Sequence, residues 1–312
     1  MITKKFEYNV KKINKKYNFN IYNASTLSNP KDNTIIFLKK DNEELLEKLK
    51  NIKNSILIIN DKLDAKKLEE YNLVIYDENP RLRYAQLLTE ILKKDKKEYK
   101  NFFKDGYYFG ENIEIGKNVI IEPFVKIGSN IQIGDNTIIK SGALIENNVK
   151  IGKNCYIREK SVIGGEDFGI ERDKEGRTFR IPHIGGVIIG DNVEVGTFST
   201  VCSGTIEATI VEDYVKIDTG VNVGHNTKIG KGTLITAGVI IGGSTIVGKN
   251  CTLGLNSSIK NGIQIGNNVI LGMAARIVKS IEDNQILTNE KADTLENIIK
   301  FSNYKKEILK KL

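Results

Sequence analysis

Aliphatic residues recur at every sixth position along most of the chain. One run goes from Ile115 through Ile121, Ile127, Ile133, Ile139, Ile145, Ile151 and Ile157 to Ile163. Ile189, Val195 and Val201 form a second, and a third goes from Val211 through Ile217, Val223, Ile229, Ile235, Ile241, Val247, Leu253, Ile259, Ile265 and Leu271 to Ile277. Four residues after each aliphatic stands a small or β-branched residue, as in Val119, Val125, Ile131, Thr137, Ala143, Val149, Cys155 and Ser161. A helix cannot hold a strict period of six on one face, whereas short strands joined by turns can. The pattern therefore predicts a mainly β chain: a left-handed parallel β-helix with three hexapeptides per triangular coil. Twenty-four hexads make about eight coils, a prism roughly 38 Å long at the usual strand spacing. Its aliphatics fill the interior.

The breaks in phase carry information of their own. A long loop, set at 164–186, separates Ile163 from Ile189, and four inserted residues separate Val201 from Val211. Before the repeat, apolar runs at Thr34–Leu38, 55–59 and 72–76 read as strands, and 81–93 reads as a helix following Pro80. After it, Leu295, Ile298, Ile299, Ile308, Leu309 and Leu312 mark an amphipathic helix. Three units are expected: an N-terminal α/β domain (1–104), the β-helix (105–282) and a C-terminal helical segment (283–312).

Composition narrows the functional classes. The chain of 312 residues is 40% hydrophobic and 28% charged, within the range of soluble globular proteins. No apolar run reaches the roughly 18 residues of a membrane span, and no apolar stretch follows the basic residues at Lys4 and Lys5, so a secretory signal is not expected. Three distant cysteines, Cys155, Cys202 and Cys251, suggest a reducing, cytoplasmic setting and have no zinc spacing. Most of the net charge of +8 comes from the first 108 residues. There lysines alternate with glutamates along helix-like runs, which describes a solvated face, and no nucleic-acid motif accompanies them. The N-terminal strands lack a Gly-x-Gly-x-x-Gly turn, so a dinucleotide site is not supported.

The two histidines, His183 and His225, narrow the search for chemistry. His225 is the third residue of the hexad beginning at Val223, and so points out of the prism, where an imidazole is a candidate general base. Eighteen residues on, one coil higher, stands Gly243, which leaves space and offers a backbone N–H to an oxyanion. Asp218, one strand earlier, is the expected partner that fixes the ring's tautomer, although a plain turn residue fits it equally well. His183 lies where the loop rejoins the prism and is a candidate for substrate contact. Cys155 and Cys251 fall at inward positions, while Cys202 falls at an outward one without a paired base. Two histidines cannot supply the three ligands of a β-helix zinc hydratase, and no metal is expected. A non-catalytic prism would show flat ladders of one residue type outside, and the outward positions here vary.

Several segments together resemble the UDP-3-O-acyl-glucosamine N-acyltransferases of lipid A synthesis. They are the run from Ile181-Pro182-His183-Ile184-Gly185-Gly186 to Gly196, Val215-Lys216-Ile217-Asp218, Val223-Gly224-His225-Asn226, the loop Gly165-Glu166-Asp167-Phe168-Gly169-Ile170, and the N-terminal Thr34–Leu38 and Asn79-Pro80-Arg81-Leu82 segments. The resemblance implies a homotrimer with clefts between adjacent prisms, an acyl thioester on acyl carrier protein as donor, and the amino group of a nucleotide-linked aminosugar as acceptor. It implies no tightly bound cofactor. His225 would be the general base, Asp218 its orienting partner and Gly243 the oxyanion donor, with Phe37, Phe168, His183 and Asn226 at the substrate. The lysine-bearing C-terminal helix would meet the acidic carrier. The chain departs from the family pattern at Gly262, Cys202-Ser203, Thr219, Lys40 and Glu43. The alternative is an enzyme that acylates another nucleotide-linked aminosugar for a surface glycan from acyl-CoA.

Overall fold

A computed structural model describes residues 5–38, 43–94, 102–289 and 300. The expected C-terminal helix and Lys40 lie outside these residues, apart from Lys300.

The six-residue pattern produces a left-handed parallel β-helix. Its two- and three-residue strands stack into three sheets of eight, nine and ten members, the tenth being the antiparallel strand Phe102–Lys104, in line with the expected coil number. Each aliphatic pairs with the one three hexads on: Ile127 with Ile145, Ile133 with Ile151, and Ile139 with Ile157. One coil is therefore 18 residues. The two phase breaks are absorbed outside the stack, since Ile151 pairs with Ile189 and Val201 with Val223. Pairing continues to Ile286–Leu287 against Ile270–Leu271, so the prism passes the expected boundary at 282.

Both inward positions of the hexad are buried, forming one core from Val125 to Ile277. Ile115, the first of the series, is an exception: it stands 44% exposed at the open first coil. The corners need a residue in the left-handed region, and asparagine, whose short side chain tolerates it, supplies it at Asn130, Asn136 and Asn148. The same side chains form ladders, with Asn112 donating to Asn130 and Asn130 to Asn148 at 3.1 Å each.

The N-terminal region is a four-stranded parallel sheet in the order Asn23–Ala24, Thr34–Leu38, Ile56–Asn60, Leu73–Asp77. Alternation along its strands splits the side chains between two faces. Ile35, Ile56 and Ile58 pack on Tyr84, Leu88 and Ile91 of the helix Pro80–Lys94, while Ile36, Leu38, Leu57 and Ile59 pack on Leu49, Leu63 and Leu68. The helix-side core also takes in Ile181, Ile184 and Ile206, from the long loop and the four-residue insertion of the prism. An Arg81–Glu171 ion pair, and Lys174 with Glu78 at 2.5 Å, hold the loop's hairpin beside that helix. The N-terminal region thus braces the two segments that leave the repeat.

Emptying one inward position removes contacts on both neighbouring coils. Ile189→Ala, at a fully buried site, is expected to cost about 2–5 kcal/mol, read from urea denaturation followed by circular dichroism.

Candidate active site

The long loop and the insertion meet at one corner of the prism, just after the strand Asn222–Val223. There the chain turns through Gly224, His225 and Asn226, the last in the left-handed region at φ 56°. The His225 ring lies against the bare backbone of Gly243: a Cβ on Gly243 would stand 2.4 Å from Cε1 and 2.6 Å from Nδ1. The coil spacing thus brings His225 and Gly243 together as the sequence predicts, but the space above the glycine holds the imidazole itself. Among the described residues the Gly243 N–H donates to no backbone carbonyl.

The carboxylate on the ring comes from elsewhere than expected. Asp167 Oδ2 lies 2.6 Å from His225 Nδ1 and also accepts the His225 backbone N–H at 2.9 Å. Its other oxygen accepts the Phe168 N–H at 2.7 Å. The loop that carries Asp167 is fixed in turn, with Ser203 N–H donating to the Gly165 carbonyl and Ile181 N–H to that of Gly169, both at 2.8 Å. The hydrogen bond from His225 holds the Asp167 carboxyl well below the usual carboxylate range against the opposing effect of burial, and the two backbone donors add to it. An ionised Asp167 accepts Nδ1–H, which leaves Nε2 as the lone-pair nitrogen. Nε2 has no protein partner among the described residues, and the side chain is 21% exposed.

Asp218 does not fill this role within the chain. It follows the strand Lys216–Ile217 on the nine-stranded sheet, whereas His225 follows a strand of the ten-stranded one. Its exposed carboxylate accepts the Thr219 N–H at 2.7 Å. Asn226 has a similar outcome, because its amide bonds Thr205 of the insertion at 2.8 Å, both to the backbone N–H and to the hydroxyl. Cys202, at its outward position, is nonetheless buried. Burial, and then the charge of Asp167, push its thiol up to about 12, so it stays protonated and unreactive.

The remaining candidates surround the corner at different depths. His183 is buried, with its ring edge-on to that of His225 at a centroid distance of 5.4 Å. Burial, and then the neighbouring His225, lower its pKa, so it is neutral. Phe168, next to Asp167, projects into solvent at 80% exposure. Phe37 lies against Tyr84, centroids 4.9 Å apart, and lines a cavity of about 300 Å³ with Leu27, Leu45 and Ile206. That cavity reaches the insertion but not the His225 ring.

Two family models match the prism. Residues 112–147 match the bacterial transferase hexapeptide (six repeats), and residues 244–274 match the hexapeptide repeat of succinyl-transferase. The UDP-3-O-acylglucosamine N-acyltransferase 2 of Legionella pneumophila (strain Lens) is 47% identical over 70 residues, 22% of this chain and 20% of that protein. The Coxiella burnetii (strain Dugway 5J108-111) protein named UDP-3-O-acylglucosamine N-acyltransferase is 43% identical over the same shares. The matched stretch spans about a fifth of these relatives' length. Among solved structures, a Francisella novicida UDP-N-acetylglucosamine acyltransferase aligns with TM-score 0.55 and 28% identity, over 60% of this chain and 66% of that one. A UDP-N-acetylglucosamine acyltransferase from Campylobacter jejuni, at TM-score 0.52 and 22% identity over 57% and 68%, shares the fold. The resemblance seen in the sequence is borne out by these relatives.

Within this hexapeptide-repeat corner, the loop and the bare glycine are separable by mutation. Gly243→Ala leaves a backbone that alanine adopts but forces the His225 ring aside. We expect an unchanged circular dichroism spectrum and a loss of the Nδ1 resonance typical of a carboxylate-bonded imidazole. Asp167→Asn tests the pair through stability. Since the native pKa of Asp167 lies below its ordinary value of about 4, its stabilisation is complete above that value and fades as pH falls through the native one. Thermal unfolding of wild type and Asp167→Asn should differ most near neutrality and converge in strong acid.

Proposed function

We propose that the protein is an N-acyltransferase that moves an acyl group from a thioester to the amino group of a nucleotide-linked aminosugar, as in N-acylation of UDP-3-O-acyl-glucosamine. The carrying observation is the imidazole of His225, held through Nδ1 by Asp167, with Nε2 unpartnered in a partly exposed ring beside Gly243. The acyltransferase relatives and the shared solenoid support the substrate class.

In this reading the sugar amine attacks the thioester carbonyl carbon while His225 Nε2 takes one of its protons. A C–N bond forms, and the carbonyl electrons move onto oxygen, where the Gly243 N–H donates to the developing charge. An oxyanion donor of this kind is worth about 100–1,000-fold in rate. Collapse of the intermediate breaks the C–S bond, and the imidazolium returns its proton to the departing thiolate. Asp167 keeps Nε2 of the neutral ring free on the substrate side and stabilises the imidazolium that forms once Nε2 takes the proton. This reading keeps Gly243 as the oxyanion donor and gives the orienting role to Asp167 rather than Asp218. Phe168, beside Asp167, and Phe37, in its cavity next to the insertion, are aromatic surfaces on which a nucleotide base or an acyl chain would lie.

A homotrimer is part of the same proposal. Apolar side chains stand exposed along the outer face of the nine-stranded sheet at Ile120, Tyr156, Leu234, Ile270 and Ile286, and Ile240 stands exposed one coil from Asn222, beside the His225 corner. These exposed apolar groups, interrupted by Glu194, Lys216 and Thr252 along the same face, would be covered where prisms pack side by side. The cationic N-terminal region and tail suit an acidic carrier protein, and three free cysteines suit the cytoplasm.

The test is mass spectrometry of products from UDP-glucosamine and its 3-O-acyl form with acyl carrier protein thioesters and with acyl-CoA. An N-acylated product from the carrier thioester is expected, and product from acyl-CoA with another aminosugar alone would favour the glycan alternative. Absence of any N-acylated nucleotide sugar overturns the proposal. His225→Ala should lower turnover by about 100–10,000-fold without changing the unfolding midpoint by more than a few degrees, and Asp167→Asn should lower turnover nearly as far.

A further inference from the structure

His183 is buried to 8% exposure, yet neither Nδ1 nor Nε2 has a hydrogen-bond partner among the described residues. The Ile181 carbonyl raises its pKa slightly but makes no hydrogen bond of normal geometry with it. Buried polar groups are nearly always partnered, and an orphan calls for an explanation. Space is made for this ring: a Cβ on Gly169 would stand 2.9 Å from His183 Cε1. An apolar side chain would fill the same gap between the loop and the prism, beside the buried Ile181 and Ile184, without stranding two nitrogens. The ring lies edge-on to His225, 5.4 Å between centroids, beside the imidazole that carries the chemistry. A neutral imidazole offers one N–H and one lone pair, and its depressed pKa keeps it neutral when the site is filled.

We propose that His183 is a specificity-determining residue whose ring N–H donates to an oxygen on the sugar carbon beside the reacting amine, whether a hydroxyl or an ester oxygen. This rests on the acyl-transfer reading for the identity of the sugar. The orphan nitrogen is satisfied when the acceptor binds and is left bare by an acceptor lacking that oxygen. A site built around a polar group discriminates strongly for this reason.

The experiment measures equilibrium binding of UDP-glucosamine and of its 3-O-acyl form by calorimetry, without donor, to wild type, His183→Phe, His183→Leu and His183→Gln. We expect affinity to fall about tenfold or more in the Phe and Leu variants and to return to within about threefold in Gln. The Phe or Leu protein should unfold at the same temperature as wild type or higher, since either removes an unsatisfied group. Equal affinity of wild type, Phe and Leu variants for both sugars overturns the contact while leaving the acyl-transfer reading standing. Wild-type binding that weakens in the Phe and Leu variants, without N-acylation from either donor, supports the contact and overturns the reaction. A failure of wild type to bind either sugar overturns both.

Discussion

Parallel pairing at a fixed interval of 18 residues is the constraint on which the rest of the structure depends. It gives every outward side chain a neighbour known from arithmetic alone, one coil above and one below. Because the inward aliphatics lock the register, a slip of one residue would expose the whole core. The outward positions are thereby held rigidly enough for an imidazole on one coil to rest against a bare backbone on the next. His225 and Gly243 owe their contact to this register.

The repeat cannot supply a carboxylate at that place by itself. Asp167 reaches His225 because the chain leaves the stack after Ile163 and returns only at Val187. The excursion is held by the N-terminal region through Ile181, Ile184 and the Arg81–Glu171 pair. The insertion after Val201 closes the other side, where Gly204 and Gly185 come so near the Glu207 carbonyl that a Cβ would stand 1.7 and 2.2 Å from it. Thr26, in turn, donates to Glu207 at 2.7 Å. The N-terminal region therefore does part of the work of the site from a distance, by fixing the loop that carries Asp167.

What was legible in the sequence follows from this division. The solenoid, its coil length, the N-terminal strands and the placement of His225 over Gly243 all follow from local periodicity, which a single chain displays openly. The identity of the orienting carboxylate does not. Asp218 lies seven positions from His225 and one strand away, and so looked near, but successive strands of a triangular coil lie on different faces. Asp167, 58 residues distant, comes close only through a loop whose path depends on packing against the N-terminal sheet and helix. The environment of Asn226 and Cys202 was hidden for the same reason: the insertion engages one through Thr205, and the other, at its outward position, is buried. Residue type gave some signal, since an acidic residue between glycines in the loop that interrupts the repeat is where an out-of-register partner would sit.

The account depends on an imidazole whose proton resides on the nitrogen facing Asp167, leaving the opposite nitrogen free. Nitrogen-15 resonances of the His225 ring, at a pH where it is neutral, report this directly. The account predicts a protonated Nδ1 and an unprotonated Nε2 in the native protein, with the preference lost in Asp167→Asn. A native ring protonated on Nε2, or one indifferent to the removal of the carboxylate, would contradict it.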